Sequence, residues 1–402
     1  MGISGLLSLV HPVLRKCKIG DFKGKTAGID GFVWLHRGCI SCAKDIAKNL
    51  PCKSYISFFM KRVQMLIDNG IKPIIVFDGR ELPAKIGTNE KRRALRNTSL
   101  QKADELEKRG LSSEAYEYYK KAIDISPQVL FPLFKSLRKR NIDFFVAPYE
   151  ADAQLSYLAR NKICDFVITE DSDLIPYECP LTIFKLDSDG NCDAVSYTDL
   201  IKVPNLKSFT PRMILEACVL SGCDYLPSAP NFGIRTAFKL VGQTGSGQKA
   251  IDAAERTGKI IFPPGYRESF DVAVSVFRQQ KVFDPRSKTT VPCFEAGNCE
   301  LSGEDLDTKN ARNLASGLLN PRTLEPFEEL SDDEDIQSPA IPKFNITATE
   351  SARRQFKSHF GEEELPLRTI KVPQLSFEPK FIGKKCVVPV SFTPPSRRML
   401  KK

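Results

Sequence analysis

The chain has 402 residues and a formal net charge of +10, enough length for one large domain or two smaller ones. Its 42% apolar and 27% charged fractions are ordinary for a globular protein. No apolar run approaches the ~18 residues that cross a bilayer, so no membrane partner is expected. The positive charge instead favours an anionic partner such as nucleic acid.

Twelve cysteines lie scattered in or beside apolar runs, as at Cys164, Cys218 and Cys223. That usage suits reduced thiols in a nuclear or cytosolic protein better than a disulfide framework. The one C-x-x-C, Cys39/Cys42, has no second pair to complete a zinc site.

In chain order, MGISGLLSLV reads as a tucked-in terminus, and GKTAGID as a strand ending on Asp30. A helical stretch follows, with Phe32, Trp34 and His36 in its opening turns. Core packing and contact with bases are both open to these residues. SYISFFMKRVQMLIDNG has apolar residues at three and four spacing, the pattern of an amphipathic helix. IKPIIVFDG is the clearest buried strand and ends on Asp78.

Residues 80–125 are dense in charge, with Lys85, Lys91, Arg92, Arg93 and Arg96 clustered at roughly helical spacing. A solvated helix face would explain such a run. Its position, interrupting a βα alternation just after Asp78, favours recognition of a phosphodiester. QVLFPLFKSLRKRN then reads as a helix, IDFFVAPYE as a strand and loop, and ADAQLSYLARNK as a helix. DFVITEDSD follows as a strand, and LTIFKLDSDGNCDAVSY as a hairpin turning at Asp-Gly. PRMILEACVLSGCDYL reads as a helix delivering Asp224, and Asn231 to Ala237 as the turn and start of a helix–turn–helix. EELSDDEDIQSP reads as an acidic linker, and the Pro- and Lys/Arg-rich residues after it as a largely disordered tail.

The stretch from Pro148 to Asp173 holds two acidic clusters, Glu150/Asp152 and Glu170/Asp171/Asp173, each after a short apolar run. Short Val/Ile/Phe runs read as strands of a buried parallel sheet, whose carboxyl edge collects functional groups. Carboxylates at two neighbouring strand ends repel unless a cation lies between them. Glu150, Asp152, Asp171 and Asp173 of these clusters, with Asp30, Asp78 and Asp224, make seven candidates that form a hard oxygen-donor set suited to Mg²⁺. Two such ions can stabilise the attacking and leaving oxygens of an in-line phosphoryl displacement. The chain has only three histidines, which fits chemistry that needs no histidine base.

Together, MGISGLL, GIDGFVWLHRG, KPIIVFDG, VAPYEADAQLSYL, ITEDSDL and LSGCDYL resemble the flap endonuclease superfamily of structure-specific 5′ nucleases, most of all its exonuclease 1 branch. They occur in the family's order over roughly residues 1–240. The resemblance implies an α/β fold: a central, mostly parallel sheet flanked by helices, a PIN-like nuclease core with a helical arch and a helix–turn–helix. It implies Asp30, Asp78, Glu150 and Asp152 as ligands of one Mg²⁺, with Asp152 leaning toward a second held by Asp171, Asp173 and Asp224. Mn²⁺ is expected to substitute. Lys85 and Arg92 match the arch residues that reach the scissile phosphate, and Arg93 and Arg96 those that hold the 5′ end. Phe32 and His36 match residues that stack near the terminal nucleotides, and Gly2 the processed terminus beside the active site. Ser228, Gly233 and Arg235 would contact the duplex backbone, and Ser221, Ser228 and Phe232 would bind K⁺. Where the family has Gly-x-Gly in that turn, this chain has Asn231-Phe232-Gly233.

The implied activity is 5′→3′ exonuclease action on double-stranded DNA with 5′-flap endonuclease activity, in a nuclear, monomeric enzyme of mismatch repair and recombination. The implied substrates have 5′ ends, nicks, gaps or flaps, and the tail is where repair-protein partners would bind. A flap or junction endonuclease, or a non-catalytic DNA-structure-binding protein, are the alternatives. The segments expected are a nuclease region at 1–99 and the rest of the arch with its connecting helix at 100–137. An internal nuclease region at 138–240, a C-terminal core part at 241–325 and the linker with tail at 326–402 follow.

Overall fold

Seven strands form one sheet in the order β1-β7-β6-β5-β2-β3-β4. They are β1 (Arg15–Lys18), β2 (Thr26–Asp30), β3 (Lys72–Phe77), β4 (Asp143–Val146), β5 (Phe166–Ile168), β6 (Leu181–Phe184) and β7 (Asn191–Ser196). The five strands β6-β5-β2-β3-β4 run parallel, and β7 and β1 add antiparallel at one edge. The computed structural model describes residues 2–327, all within one compact unit, Met1–Phe344. The acidic stretch 328–339 and the basic tail lie outside the described residues.

The helices are α1 (Leu6–Leu9), α2 (Gly31–Cys39), α3 (Ala43–Ala47), α4 (Ser54–Asp68), α5 (Ile86–Lys108), α6 (Ser112–Ala122) and α7 (Pro127–Lys139). After them come α8 (Ala151–Arg160), α9 (Pro211–Leu220), α10 (Ile234–Thr244), α11 (Gly247–Arg256), α12 (Tyr266–Gln279) and α13 (Thr308–Ala315). A small hairpin, β8 (Lys281–Asp284) with β9 (Thr289–Pro292), stands apart from the main sheet. None of the described helices is long and apolar enough to cross a membrane.

The parallel strands are apolar on both faces because helices cover both. Along β3, Ile75 and Phe77 enter a core shared with α2, α4 and α7, while Ile74 and Val76 enter one shared with α8 and α13. A third core joins the N-terminal segment to helices α9 to α12. The expected class, a mostly parallel sheet flanked by helices, is therefore the one observed.

Two local expectations are corrected. The strands preceding the two acidic clusters, β4 and β5, are not neighbours, because β2 and β3 lie between them. What reunites the clusters is α8, which returns from β4 across β3, β2 and β5 and carries Asp152 in its first turn. Asp224 does not lie on a helix: α9 ends at Leu220, capped at Ser221, and Asp224 sits in the loop beyond. That loop runs from Ser221 to Gly233, so α9 and α10 are joined by far more than the 3–4-residue turn of a helix–turn–helix. Asn231 takes the left-handed conformation at φ 63, which asparagine tolerates better than most residues.

The charged segment folds as a hairpin of α5 and α6. On α5 only Ala103 and Leu106, near its far end, are buried. Its first four turns therefore lack the apolar face that would fasten them to a core, and polar contacts hold them instead.

Candidate active site

Backbone geometry aims the carboxylates at one place. Asp30 ends β2 and caps α2, its Oδ1 accepting the N–H groups of Phe32 and Val33 at 3.0 and 3.3 Å. The Thr169 hydroxyl donates to its Oδ2 at 3.0 Å, tying the ends of β2 and β5 together. Asp78 follows β3 directly and accepts the Ala151 N–H at 2.7 Å, which brings it to the start of α8. Gly79 allows that approach: a Cβ there would stand 1.8 Å from the Ala147 carbonyl oxygen. Glu150 is the N-cap residue of α8. Asp171 accepts the Asp173 N–H at 3.0 Å across a short 3₁₀ turn.

The N-terminus closes one side. The Ile3 N–H donates to Asp173 Oδ1 at 3.1 Å. Gly2, at φ +83, lies so near that a Cβ would be 2.1 Å from Asp171 Oδ1 and 2.7 Å from Asp173 Oδ1.

All seven predicted carboxylates are brought together, and for five of them burial, with repulsion among neighbours behind it, raises the pKa. Asp30 is pushed up to about 7 by burial, then by Asp78. Asp78 is pushed up to about 6 by burial, against the pull of the Ala151 N–H and Lys85. Burial and then Asp171 hold Asp152 and Asp173 well above the usual carboxylate range, and burial raises Asp171. Asp224 goes the other way: Lys85 and Arg92 outweigh its burial and lower it.

Glu170 does not join the cluster but pairs with Arg37 at 3.1 Å. Phe32 is half-buried, its ring 6.2 Å edge-on from Phe77, while His36, one turn on, is exposed. On α5, Arg93 is exposed and Arg96 pairs with Asp124 at 3.3 Å. In the loop before α10, Ser228 and Gly233 are exposed and Phe232 is buried, and Arg235, in the first turn of α10, is exposed. Ser221 is buried and spends its hydroxyl proton on the Ala217 carbonyl at 2.6 Å.

The hairpin meets the cluster through Lys85 and α5. Lys85 Nζ lies between Glu150 Oε1 and Asp224 Oδ2, the latter at 2.8 Å. Arg92 donates to both Asp224 oxygens at 2.9 and 3.0 Å, and the Thr88 hydroxyl to its main-chain carbonyl at 3.0 Å. Sequence reasoning missed Thr88, Thr169 and Tyr225; the last donates to Glu150 Oε2. Tyr225 adjoins Asp224 in sequence, which was the one signal available. Burial, then Glu150, holds the Tyr225 and Tyr177 phenols well above their usual range, so both remain donors.

The donor set fits hard divalent cations: oxygen ligands only, several on rigid elements, and Asp152 Oδ1 buried without a hydrogen-bond partner. Among the described residues no three side chains close into a metal cage as they stand. Lys85 lies between Glu150 and Asp224 instead, supplying the positive charge locally.

Two family descriptions match the chain, the XPG N-terminal domain over residues 1–99 and the XPG I-region over residues 141–224. Exonuclease 1 of Oryza sativa subsp. japonica is 41% identical over 82% of this chain and 40% of its own length. The DNA damage-inducible protein DIN7 of Saccharomyces cerevisiae is 33% identical over 71% of this chain and 67% of its own length. The catalytic core of Rad2 in complex with DNA substrate superposes with a TM-score of 0.49 at 16% identity, over 68% of this chain and 86% of that one. The chain spans less than half the length of the first curated relatives it matches, exonuclease 1 of Oryza sativa and of Arabidopsis thaliana. It belongs to the flap endonuclease superfamily of structure-specific 5′ nucleases, the family that contains exonuclease 1.

Proposed function

We propose that this chain is a Mg²⁺-dependent 5′→3′ double-stranded DNA exonuclease with 5′-flap endonuclease activity. The observation that carries the reading is one carboxylate cluster with an orphaned, buried Asp152 oxygen, faced by the hairpin's Lys85 and Arg92. Asp30, Asp78, Glu150 and Asp152 would hold one ion, and Asp152, Asp171, Asp173 and Asp224 the second. Bound there, the pair would supply an activated water and charge stabilisation for in-line displacement at phosphorus.

The chain's own residues do the rest. Lys85 and Arg92 exchange Asp224 for the scissile phosphate and neutralise its growing charge. Arg93 and Arg96, further along α5, hold the 5′ end. Phe32 and His36, one turn apart on α2, offer a stacking surface that is indifferent to sequence. The exposed first turn of α10, at Gly233 and Arg235, with Ser228, grips the duplex backbone. K⁺ at Ser221, Ser228 and Phe232 would strengthen that grip.

The substrates are duplexes with 5′ ends, nicks, gaps or flaps, and the setting is nuclear mismatch repair and recombination. Product lengths test the reading. A nicked duplex labelled internally should yield mononucleotides and short products released from the 5′ terminus at the nick. Cleavage confined to flaps or junctions would replace it with the endonuclease alternative, and binding without cleavage with the non-catalytic one.

A further inference from the structure

The Glu150 carboxylate has one oxygen on Lys85 and the other on Tyr225. Tyr225 leads inward: its hydroxyl is 2.9 Å from that of Tyr177, which is 2.5 Å from the Gln280 side-chain amide. Tyr177 and Gln280 are buried, at 1% and 0% exposure. Phe277 packs against both phenol rings, its centroid 4.8 Å from Tyr177 and 4.9 Å from Tyr225. Neither ring can swing without disturbing the other.

The proton count decides which way the bonds run. Each phenol has one proton to donate, and Tyr225 gives its proton to Glu150. Tyr177 must therefore donate to the Tyr225 oxygen for that bond to form. Drawn with its Oε1 toward Tyr177, Gln280 leaves its Nε2 buried with no partner. Turned over, the amide donates from Nε2 to the Tyr177 oxygen. Amide orientation is set by such networks, and this one then runs Gln280 to Tyr177 to Tyr225 to Glu150, every proton pointing at the carboxylate. Donors in series polarise one another and stiffen the last bond.

We propose that Tyr177, Tyr225 and Gln280 are positioning residues for cleavage, a buried one-way donor chain that fixes the Glu150 carboxylate through Oε2. Its Oε1 is thereby reserved for Lys85 or for an ion. This rests on the nuclease reading above and deepens it. Tyr225 and Gln280 lie outside both family-matched segments, so the C-terminal part of the chain reaches into the cleavage centre by this route.

The test compares the wild type with Tyr225→Phe, Tyr177→Phe, Gln280→Leu and the double variant Tyr225→Phe/Tyr177→Phe. Each phenylalanine removes a hydroxyl and keeps the ring stacked. Two readouts are taken: Ca²⁺ affinity by calorimetry without DNA, and the single-turnover cleavage rate at saturating DNA with Mg²⁺. Tyr177→Phe touches no carboxylate, yet both should fall, about tenfold, the low end for outer-shell partners of metal ligands. DNA affinity in Ca²⁺ and the melting temperature should move little. The double variant should be no worse than Tyr225→Phe alone, because the chain is broken once. Wild-type Ca²⁺ affinity and rate in Tyr177→Phe, or additive losses in the double variant, would overturn the donor chain. If the wild type itself releases no nucleotides, the nuclease reading falls, and the Ca²⁺ affinities still judge the chain.

Discussion

The Lys85 ammonium lies 2.8 Å from Asp224 Oδ2 and also bonds Glu150, so a residue just before α5 fills the mouth of the carboxylate cluster. Burial alone would make this amine easier to deprotonate, but Glu150 and Asp224 outweigh it and hold it well above its usual range. Arg92 and Thr88 add their bonds to Asp224. The near end of the hairpin is thus latched to a residue that the second ion would also claim.

Lys85→Met should therefore act twice. Without metal it leaves Glu150 and Asp224 with less compensating charge. The expected destabilisation is about 1–3 kcal/mol, below the ~3–5 of a fully buried pair because the side chains retain some exposure. Urea unfolding in chelator measures it, and Ca²⁺ should recover most of it. With metal and DNA, loss of a cation at the scissile phosphate should slow single-turnover cleavage about 10²–10³-fold. Unchanged cleavage would take Lys85 out of phosphate contact.

The pH dependence of the metal-free protein has a definite sign. Asp30 and Asp78 are raised to about 7 and about 6, chiefly by burial, and Asp152, Asp171 and Asp173 are raised with them. Between about pH 4, where unfolded carboxylates titrate, and about pH 7, the folded chain holds protons the unfolded chain has released. Stability must then fall as pH rises through that window. Asp224, which is lowered, contributes its own change only on the acid side of it. His36, exposed at its surface but with its ring crowded enough by its surroundings that partial desolvation lowers it, opposes the trend as a single group against five. Chemical unfolding in chelator should show lower stability at pH 8 than at pH 5, and saturating Mg²⁺ should shrink the difference. The reverse order would mean the carboxylates are not mutually stressed.

Gly2→Ala tests the N-terminal wall. At φ +83 any side chain is strained, and a Cβ 2.1 Å from Asp171 Oδ1 must displace that carboxylate or the chain end. Ca²⁺ affinity measured by calorimetry should drop about tenfold, the scale of a disturbed metal-ligand shell. Gly24→Ala is a control for backbone strain, because Gly24 has a similar φ of +79 and nothing near its Cβ position.

All the carboxylates but Asp224 were legible because they follow short apolar runs, and such runs end at the same edge of a parallel sheet. Asp30 and Asp78 needed nothing more. The route by which Asp152 meets Asp171 was not legible: strand order is a tertiary property, and only the path of α8 over β2 brings them together. Asp224 was found as a residue and misplaced on a helix, because LSGCDYL continues an apolar run past the Ser221 cap. Arg15–Lys18, whose burial pattern is mostly exposed, carried no strand signal and is held as β1 by pairing with β7. Gln280, more than a hundred residues from Glu150 in sequence, had no signal at all.

The most direct test of the cleavage centre is a duplex with a recessed, labelled 5′ end, incubated with the wild type or with Asp173→Ala. Asp173 is the carboxylate that the chain's own N-terminus holds in place, and the proposed duplex-gripping residues, Ser228, Gly233 and Arg235, lie on other segments. The wild type should release 5′ nucleotides in Mg²⁺ and none in chelator. Asp173→Ala should lose at least about 100-fold in rate, since even outer-shell changes at metal sites cost up to that, while binding the duplex in Ca²⁺ as the wild type does. Metal-independent release by the wild type, or full cleavage by Asp173→Ala, would contradict a metal-dependent centre built on these seven carboxylates.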